Sequence, residues 1–334
     1  MQLKPAEWPL ETISIEELRP DPVTDFALSP VPHKLIESIR QMGVLTPLLA
    51  CRQNDTVSVI CGHRRLATAK DSGISTLPVR IAGSSLTPEE KLLLQLQDNR
   101  VHRSLSDIET GRALIRLSAT DLDESEIIEH VLPLLDQQPS KKRLHDFLNA
   151  REFSKNLQIT LHNLAIPLRT YSMLYPLSDA DLDAIQHLLT VLQPGANKCR
   201  DLFELIGEIA DRDAVTPVSL INDSAIQNAL ADQSLNPGDR YQAVHQHLFQ
   251  KRFPTLSELR IEVRRSLSQM KLDGKVRIRV PEHFESGELK VEFSFHTHAE
   301  FIEKAECLFR ASDSEALSDL LKIVQSPQSH TNKR

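Results

Sequence analysis

Hydrophobic periodicity changes twice along this 334-residue chain, and that change constrains the fold more than any other feature. Up to Leu117, runs that alternate every second residue are interleaved with runs repeating every three to four. After Leu117 the strand pattern stops for about a hundred residues, and apolar positions recur only at helical spacing, as in Ile127-Ile128-Val131-Leu132, Leu144-Phe147-Leu148 and Leu182-Ile185-Leu188-Leu189. From Thr255 a long amphipathic helix with Leu256, Leu259, Val263 and Leu267 on one stripe precedes two alternating segments, Val276 to Val280 and Leu289 to Phe295, and a helix from Glu300 to Leu308. The pattern predicts an α+β module over residues 1–117, an all-α domain over 118–215, a linker with a helical segment over 216–254, a small α+β domain over 255–326 and a disordered tail over 327–334. Asp213 to Pro237, with two prolines and few apolar stripes, is expected to contain a loop or linker.

Within the first module, Ile13 to Leu18 reads as a short strand. A helix from His33 to Met42 ends on Gly43, where a C-cap glycine belongs. Leu45 to Arg52 and Thr56 to Cys61 read as strands joined at Gln53-Asn54-Asp55. A helix from Arg64 to Asp71 and a strand from Leu77 to Ile81 follow. Thr87-Pro88-Glu89-Glu90 is a helix start, with Thr87 as N-cap and Glu90 at the capping-box position.

Composition removes several functions. No apolar run approaches the roughly 18 residues of a membrane helix, and the N-terminal residues lack the basic-then-apolar plan of a secretory signal, so the expected address is cytoplasmic and the expected partners include no membrane. Ten glycines are few for this length, against a usual ~7%, and neither a Walker nor a Rossmann glycine pattern occurs. Cys51, Cys61, Cys199 and Cys307 form no C-x-x-C pair and read as buried reduced thiols. A net charge of −7 argues against general coating of nucleic acid. The charge is uneven, however. Leu117 to Gln138 has no Lys or Arg, whereas Lys141, Lys142, Arg143, Arg151 and Lys155 follow at once, and a second basic island runs from Lys251 to Arg279.

Three segments of the first module carry the candidate chemistry: Gly43-Val-Leu-Thr46-Pro47, Gly62-His63-Arg64-Arg65, and Asp98-Asn99 with His102 and Arg103. The second is an anion site in outline. Glycine admits an oxyanion to the backbone, a helix start offers unpaired N–H groups, and two arginines add forked donors. With Leu18-Arg-Pro-Asp-Pro22 before them and Leu105-Ser-Asp-Ile-Glu109 after, these boxes resemble, in order and spacing, the N-terminal domain of the ParB chromosome- and plasmid-partitioning family, which shares its fold with sulfiredoxin. The resemblance implies binding of CTP with Mg²⁺ and closure of two protomers around double-stranded DNA. On the matching positions it implies that Gly43, Thr46 and Pro47 contact the nucleotide, that Gly62, His63, Arg64 and Arg65 hold its phosphates, that His102 and Arg103 stand in the third box, that Asn99 places the metal, and that Asp98 serves hydrolysis or clamp closure. Three departures stand out: His63 replaces a glutamate, His102 takes an arginine position with Arg103 shifted by one, and a Gln-Pro-Arg arm is missing.

The same resemblance implies a helix-turn-helix in the all-α domain, with Glu126 to Leu135 as its first helix and Ser140 to Leu148 as its recognition helix. Ser140 would cap that helix, while Lys141, Lys142, Arg143 and His145 would meet phosphates and base edges. A nucleoid-associated homodimer working with a ParA-like ATPase is the function implied, with the C-terminal strands as a dimerisation element. Other functions are an operator-binding regulator, or an enzyme of the same fold: a nucleotide-dependent kinase, a nuclease, or a sulfiredoxin-like thiol enzyme using Cys61.

Overall fold

A computed structural model describes residues 3–53, 56–83, 85–270, 272, 276–281 and 288–325. The tail expected to be disordered, 327–334, lies outside the described residues. The first module builds a five-stranded sheet from β1 (Leu10–Ser14), β2 (Leu18–Pro20), β3 (Leu48–Gln53), β4 (Thr56–Cys61) and β5 (Thr76–Ile81), ordered β1-β5-β3-β4-β2. β1 pairs antiparallel with β5 and β3 antiparallel with β4, while β3–β5 and β2–β4 are parallel. Four helices accompany it: α1 (His33–Met42), α2 (His63–Asp71), α3 (Pro88–His102) and α4 (Asp107–Leu117). The single strand expected over Ile13–Leu18 is two strands separated by a turn. The strand expected from Leu45 begins at Leu48, because Leu45 to Pro47 form the exposed turn leaving α1.

Alternation in β3 sorts the core into two faces. Leu48 and Ala50 join Val57, Val59, Leu77 and Val79 beneath Leu66 and Ala69 of α2. Leu49 and Cys51 turn the other way, toward Cys61, Leu86 and Leu94 of α3. Each such aliphatic side chain stabilises the fold by about 1.5–3 kcal/mol relative to exposure. The capping box at Thr87 and Glu90 is present as expected, and a second one, Ser106 with Glu109, starts α4.

Met1–Phe203 with Thr216–Ile221 forms one compact unit, and Glu204–Val215 with Asn222–Arg334 a second. The first takes in the sheet and the helices beyond Leu117. Gly111 on α4 lets the helix Lys141–Leu148 approach, since a Cβ there would lie 3.3 Å from the Phe147 carbonyl. Ser140 caps Lys141–Leu148 through the Arg143 N–H, as expected. The preceding helical run, Glu124–Glu126, Ile127–Val131 and Leu132–Leu134, widens at its centre, where the Leu132 N–H reaches back five residues to Ile127 O. Pro133 explains this. It has no N–H, and its ring would collide with the carbonyl four residues earlier.

Asp213 to Pro237, expected to contain a loop or linker, also holds two short helices, Pro217–Ile221 and Ser224–Ala231. Its prolines start helices instead of breaking them: Pro217 and Pro237 both sit at first helical positions, where no N–H is required. In the second unit the expected basic helix is Pro254–Gln269, and Leu256, Leu259, Val263 and Leu267 pack in one cluster with Leu320 and Val324 of a last helix, Glu315–Gln325. Val276–Arg279 and Lys290–Phe293 pair antiparallel, followed by the helix His298–Ser312. Cys51, Cys61 and Cys199 are buried free thiols, and Cys307 is half-buried. Among the described residues no helix is long and apolar enough to cross a membrane.

Candidate functional site

The β4–α2 junction, the turn after α1 and the last two turns of α3 converge on a cleft of about 330 Å³, at the lower end of small-molecule pockets. Its lining includes Thr46, Gly62, His63, Arg64, Arg65, Asp98, Asn99 and Arg103, so eight residues singled out in three separate segments meet in one place. Gly43 and Pro47 stand outside the lining. Gly43 caps α1 with φ +73°, and the Pro47 carbonyl accepts from Arg65. The side chain of His102 lies outside the described residues. Four liners went unnoticed in sequence: Ala27, Pro32 and Leu35, which supply apolar wall, and Gln95, one turn before Asn99 on α3.

Gly62 has φ +104°, and a Cβ on it would sit 2.7 Å from Leu48 Cδ2. Glycine is therefore required twice over, by the left-handed backbone and by the strand beneath. The turn ends β4 and opens α2, leaving first-turn N–H groups at the cleft. The three arginines differ in how committed they are. Arg65 donates through Nη1 to the Thr46 and Pro47 carbonyls, at 2.7 and 3.0 Å, and so braces the turn after α1. Arg103 is ion-paired to Glu109 at 2.6 Å. Arg64 makes one long hydrogen bond, 3.5 Å to Ser29 O. Burial and the neighbouring Arg103 pull its pKa below the ordinary value, a penalty on its charge that an anion in the cleft would offset.

Glu109 is fully buried and holds the wall together. Its Oε1 accepts from the Leu28 and Ser29 N–H groups, and its Oε2 from Arg103 and the Ser106 N–H. Burial alone would raise its pKa, but Arg103 and these N–H donors win and bring it down to about 2. Arg112 and Arg116 of α4 donate to the Phe26 and Asp25 carbonyls, so α4 fastens the loop between β2 and α1 along its length. Deeper in, Asp21 is buried against Lys91 at 2.8 Å and accepts from Ser58, which holds its pKa below the ordinary value despite the opposing effect of burial.

Two side-chain atoms on the α3 wall are buried without a hydrogen-bond partner: Gln95 Oε1 and Asn99 Nδ2. Asn99 thus offers a donor suited to a phosphate oxygen, and a metal would have to take its Oδ1. Among the described residues no three His, Cys, Asp or Glu side chains gather as metal ligands. A thiol enzyme is disfavoured as well. Cys61 packs in the core, where burial pushes its pKa well above the ordinary thiol value and so works against the nucleophilic thiolate.

On the helix Lys141–Leu148, the candidate DNA contacts are unequal. Lys141 and His145 both reach Glu124, at 3.1 and 3.5 Å. Arg143 donates twice to Gln137 Oε1 and lies over the Phe147 ring. Lys142 is exposed. Ser140 spends its hydroxyl on the cap.

Residues 3–100 match the ParB N-terminal domain family. The first hundred residues are therefore similar to a ParB N-terminal domain. The protein of Thermus thermophilus described as "Probable plasmid-partitioning protein ParB" is 34% identical over 108 residues, covering 32% of this chain and 35% of that protein. Stage 0 sporulation protein J of Bacillus subtilis is 33% identical over 120 residues, 34% of this chain and 40% of that protein. The chain thus spans little more than a third of the length of these relatives. Among solved structures, a truncated Caulobacter crescentus ParB complexed with CTP-γ-S aligns over 53% of this chain and 92% of that one, at 17% identity and a TM-score of 0.25. A second, complexed to the centromeric parS site, aligns over 58% and 98%, at 15% identity and a TM-score of 0.33.

Within this ParB-like region, the histidine that departs from the family's pattern turns inward. The His63 ring meets Thr24 Oγ1 at 3.2 Å through Nε2 and Gln95 Nε2 at 3.5 Å through Nδ1. Burial lowers its pKa, with Asp25 and Asp21 pulling the other way. His63 is thus tied into the wall of the cleft that it lines.

Proposed function

We propose that this protein is a ParB-like partition factor that binds CTP with Mg²⁺ in the cleft of its ParB N-terminal domain and double-stranded DNA through the helix Lys141–Leu148. The observation that carries this reading is the convergence of Thr46, Gly62, Arg64, Asp98 and Asn99 on one cleft at a helix start, with Arg64 held by one long hydrogen bond among the described residues and a buried, unpaired amide donor on Asn99. First-turn N–H groups of α2 and Arg64 would hold the phosphates. Arg65 would act by fixing the Thr46–Pro47 turn. Mg²⁺ would be held by phosphate oxygens with Asn99 Oδ1 beside them, and it would neutralise phosphate charge next to Asp98. Asp98 belongs to this proposal as the residue for slow hydrolysis or clamp closure. The domain boundaries at 117 and 215, the helix-turn-helix, the homodimer, the ParA-like partner and the nucleoid address belong to it too.

Radiolabelled CTP should crosslink to the wild type in preference to ATP, and Arg64→Ala should remove the crosslink while leaving the fold intact, because Arg64 has only one long internal hydrogen bond to lose. Equal labelling by ATP and CTP, or an unaffected Arg64→Ala variant, overturns the nucleotide assignment. DNA affinity should fall steeply with salt, and Lys142→Ala should weaken it and flatten the slope by about one unit. An unchanged slope would move the DNA surface elsewhere.

A further inference from the structure

Gln95 is 5% exposed, lines the cleft, and keeps one buried oxygen without a partner. Leaving a buried acceptor unpaired costs about 1–3 kcal/mol, so such an atom in a wall that is otherwise well bonded calls for a reason. The hydrogen bonds around it determine its polarity. With its ring hydrogen on Nε2, His63 donates to Thr24 Oγ1, whose own hydrogen goes to the Asp21 carbonyl; this is the tautomer the scheme adopts. A neutral imidazole with its hydrogen on Nε2 accepts at Nδ1, and Gln95 Nε2–H points there. The Gln95 carboxamide is thereby held with its nitrogen toward His63, and the orphan atom is an acceptor. One turn along α3, Asn99 leaves an orphan donor in the same lining.

We propose that Gln95 Oε1, oriented by the Thr24–His63 relay, is the acceptor for an N–H or O–H group of the nucleotide in this cleft and sets which nucleotide the site prefers. This rests on the nucleotide reading above and deepens it. Phosphates carry no donor at neutral pH, so the group that satisfies Gln95 belongs to the base, as an exocyclic amine, or to the ribose, as a hydroxyl. His63 is a positioning residue in this scheme. It acts here by orienting Gln95 within the cleft that both line, and the Thr24–His63–Gln95 arrangement accounts for a histidine at a position where the family pattern has glutamate.

The test is a binding titration of the full chain with CTP, UTP, 2′-deoxy-CTP and 3′-deoxy-CTP, with Mg²⁺ present, for the wild type, Gln95→Leu and His63→Ala. UTP lacks the base amine, and the deoxy analogues lack one hydroxyl each. Gln95→Leu should bind CTP about tenfold more weakly, the equivalent of one hydrogen bond. The one analogue missing the relevant donor should bind wild type and Gln95→Leu equally. His63→Ala should show the same loss of discrimination in milder form. Thermal unfolding of the ligand-free protein separates this from a structural role. Gln95→Leu removes the unpaired Oε1 but also takes the donor from His63 Nδ1, opposing effects of similar size, so its midpoint should stay close to that of wild type, whereas a residue needed for packing would lower it. Gln95→Leu binding CTP within twofold of wild type, discriminating among the analogues as wild type does, or losing affinity in step with stability overturns the Gln95 assignment alone. A wild type that binds none of the four overturns the nucleotide reading and this inference with it.

Discussion

Glu109 shows how much of the cleft depends on one carboxylate outside its lining. Its pKa falls from an ordinary 4.5 to about 2 in the folded chain, so the stability it contributes is fully present above pH 4.5 and is lost as pH drops through about 2. The difference corresponds to about 3 kcal/mol. Glu109→Gln should lower the unfolding midpoint at neutral pH, because the half-buried Arg103 is left beside a neutral amide, and should flatten the acid limb of stability between pH 4.5 and 2. Chemical denaturation across that range checks both, and an acid limb identical to wild type would remove Glu109 from the account. Gly62→Ala should also destabilise, by about 1–2 kcal/mol for the left-handed backbone alone, with more from Leu48. Gly62 was legible in sequence because glycine between a strand and a helix has few other uses. Gln95 and Leu35 were not, since nothing in a helical repeat tells which exposed-looking position a neighbouring loop will cover. Glu109 was visible as part of a box, but its partners Leu28 and Ser29 lie eighty residues away. Sequence spacing cannot reveal such a contact.

Among the elements, those marked by caps and strict alternation were readable: α1 closing on Gly43, α3 opening at Thr87, and the helix opening at Ser140. The helices within Asp213 to Pro237 were hidden because proline is ambiguous. It ends one helix and begins another, and only the downstream packing of Leu220, Ile221 and Ile226 shows which. The helix Lys141–Leu148 gives an element-scale prediction. Glu124 collects both Lys141 and His145 on the exposed surface, where such pairs contribute little stability. Glu124→Gln should therefore leave the unfolding midpoint nearly unchanged, yet raise DNA affinity a few-fold and steepen its salt dependence, since two cations are released and one repelling charge is gone. DNA affinity that stays the same or falls would show that this face of the helix does not meet DNA.

At the scale of the whole molecule, net charge is a poor guide, because part of the second basic island is paired locally: Lys251 with Asp223, Arg252 with Glu208 and Arg279 with Glu292. What stands out in the second unit is apolar. Phe295, Phe301, Ile302 and Phe309 are exposed, the last at 71%, and Phe301, Ile302, Ala305 and Phe309 share a groove on the helix His298–Ser312 with Glu306 and Arg310. An exposed patch of this kind marks an interaction surface. A second copy suits it. In an antiparallel two-fold pairing centred on Ala305, the small side chain sits at the axis, Phe301 of each copy faces Phe309 of the other, and the opposite charges of Glu306 and Arg310 recur on both sides, as a self-complementary interface requires. The homodimer proposed for this protein should therefore separate when Phe301 and Phe309 are both changed to Glu. Both side chains are exposed, so the fold should survive the change, as circular dichroism can verify. Light scattering at tens of micromolar should give a dimeric mass for the wild type and a monomeric mass for the double variant. A variant that remains dimeric would place the two-fold contact on another surface, and a monomeric wild type would leave the clamp without its second arm.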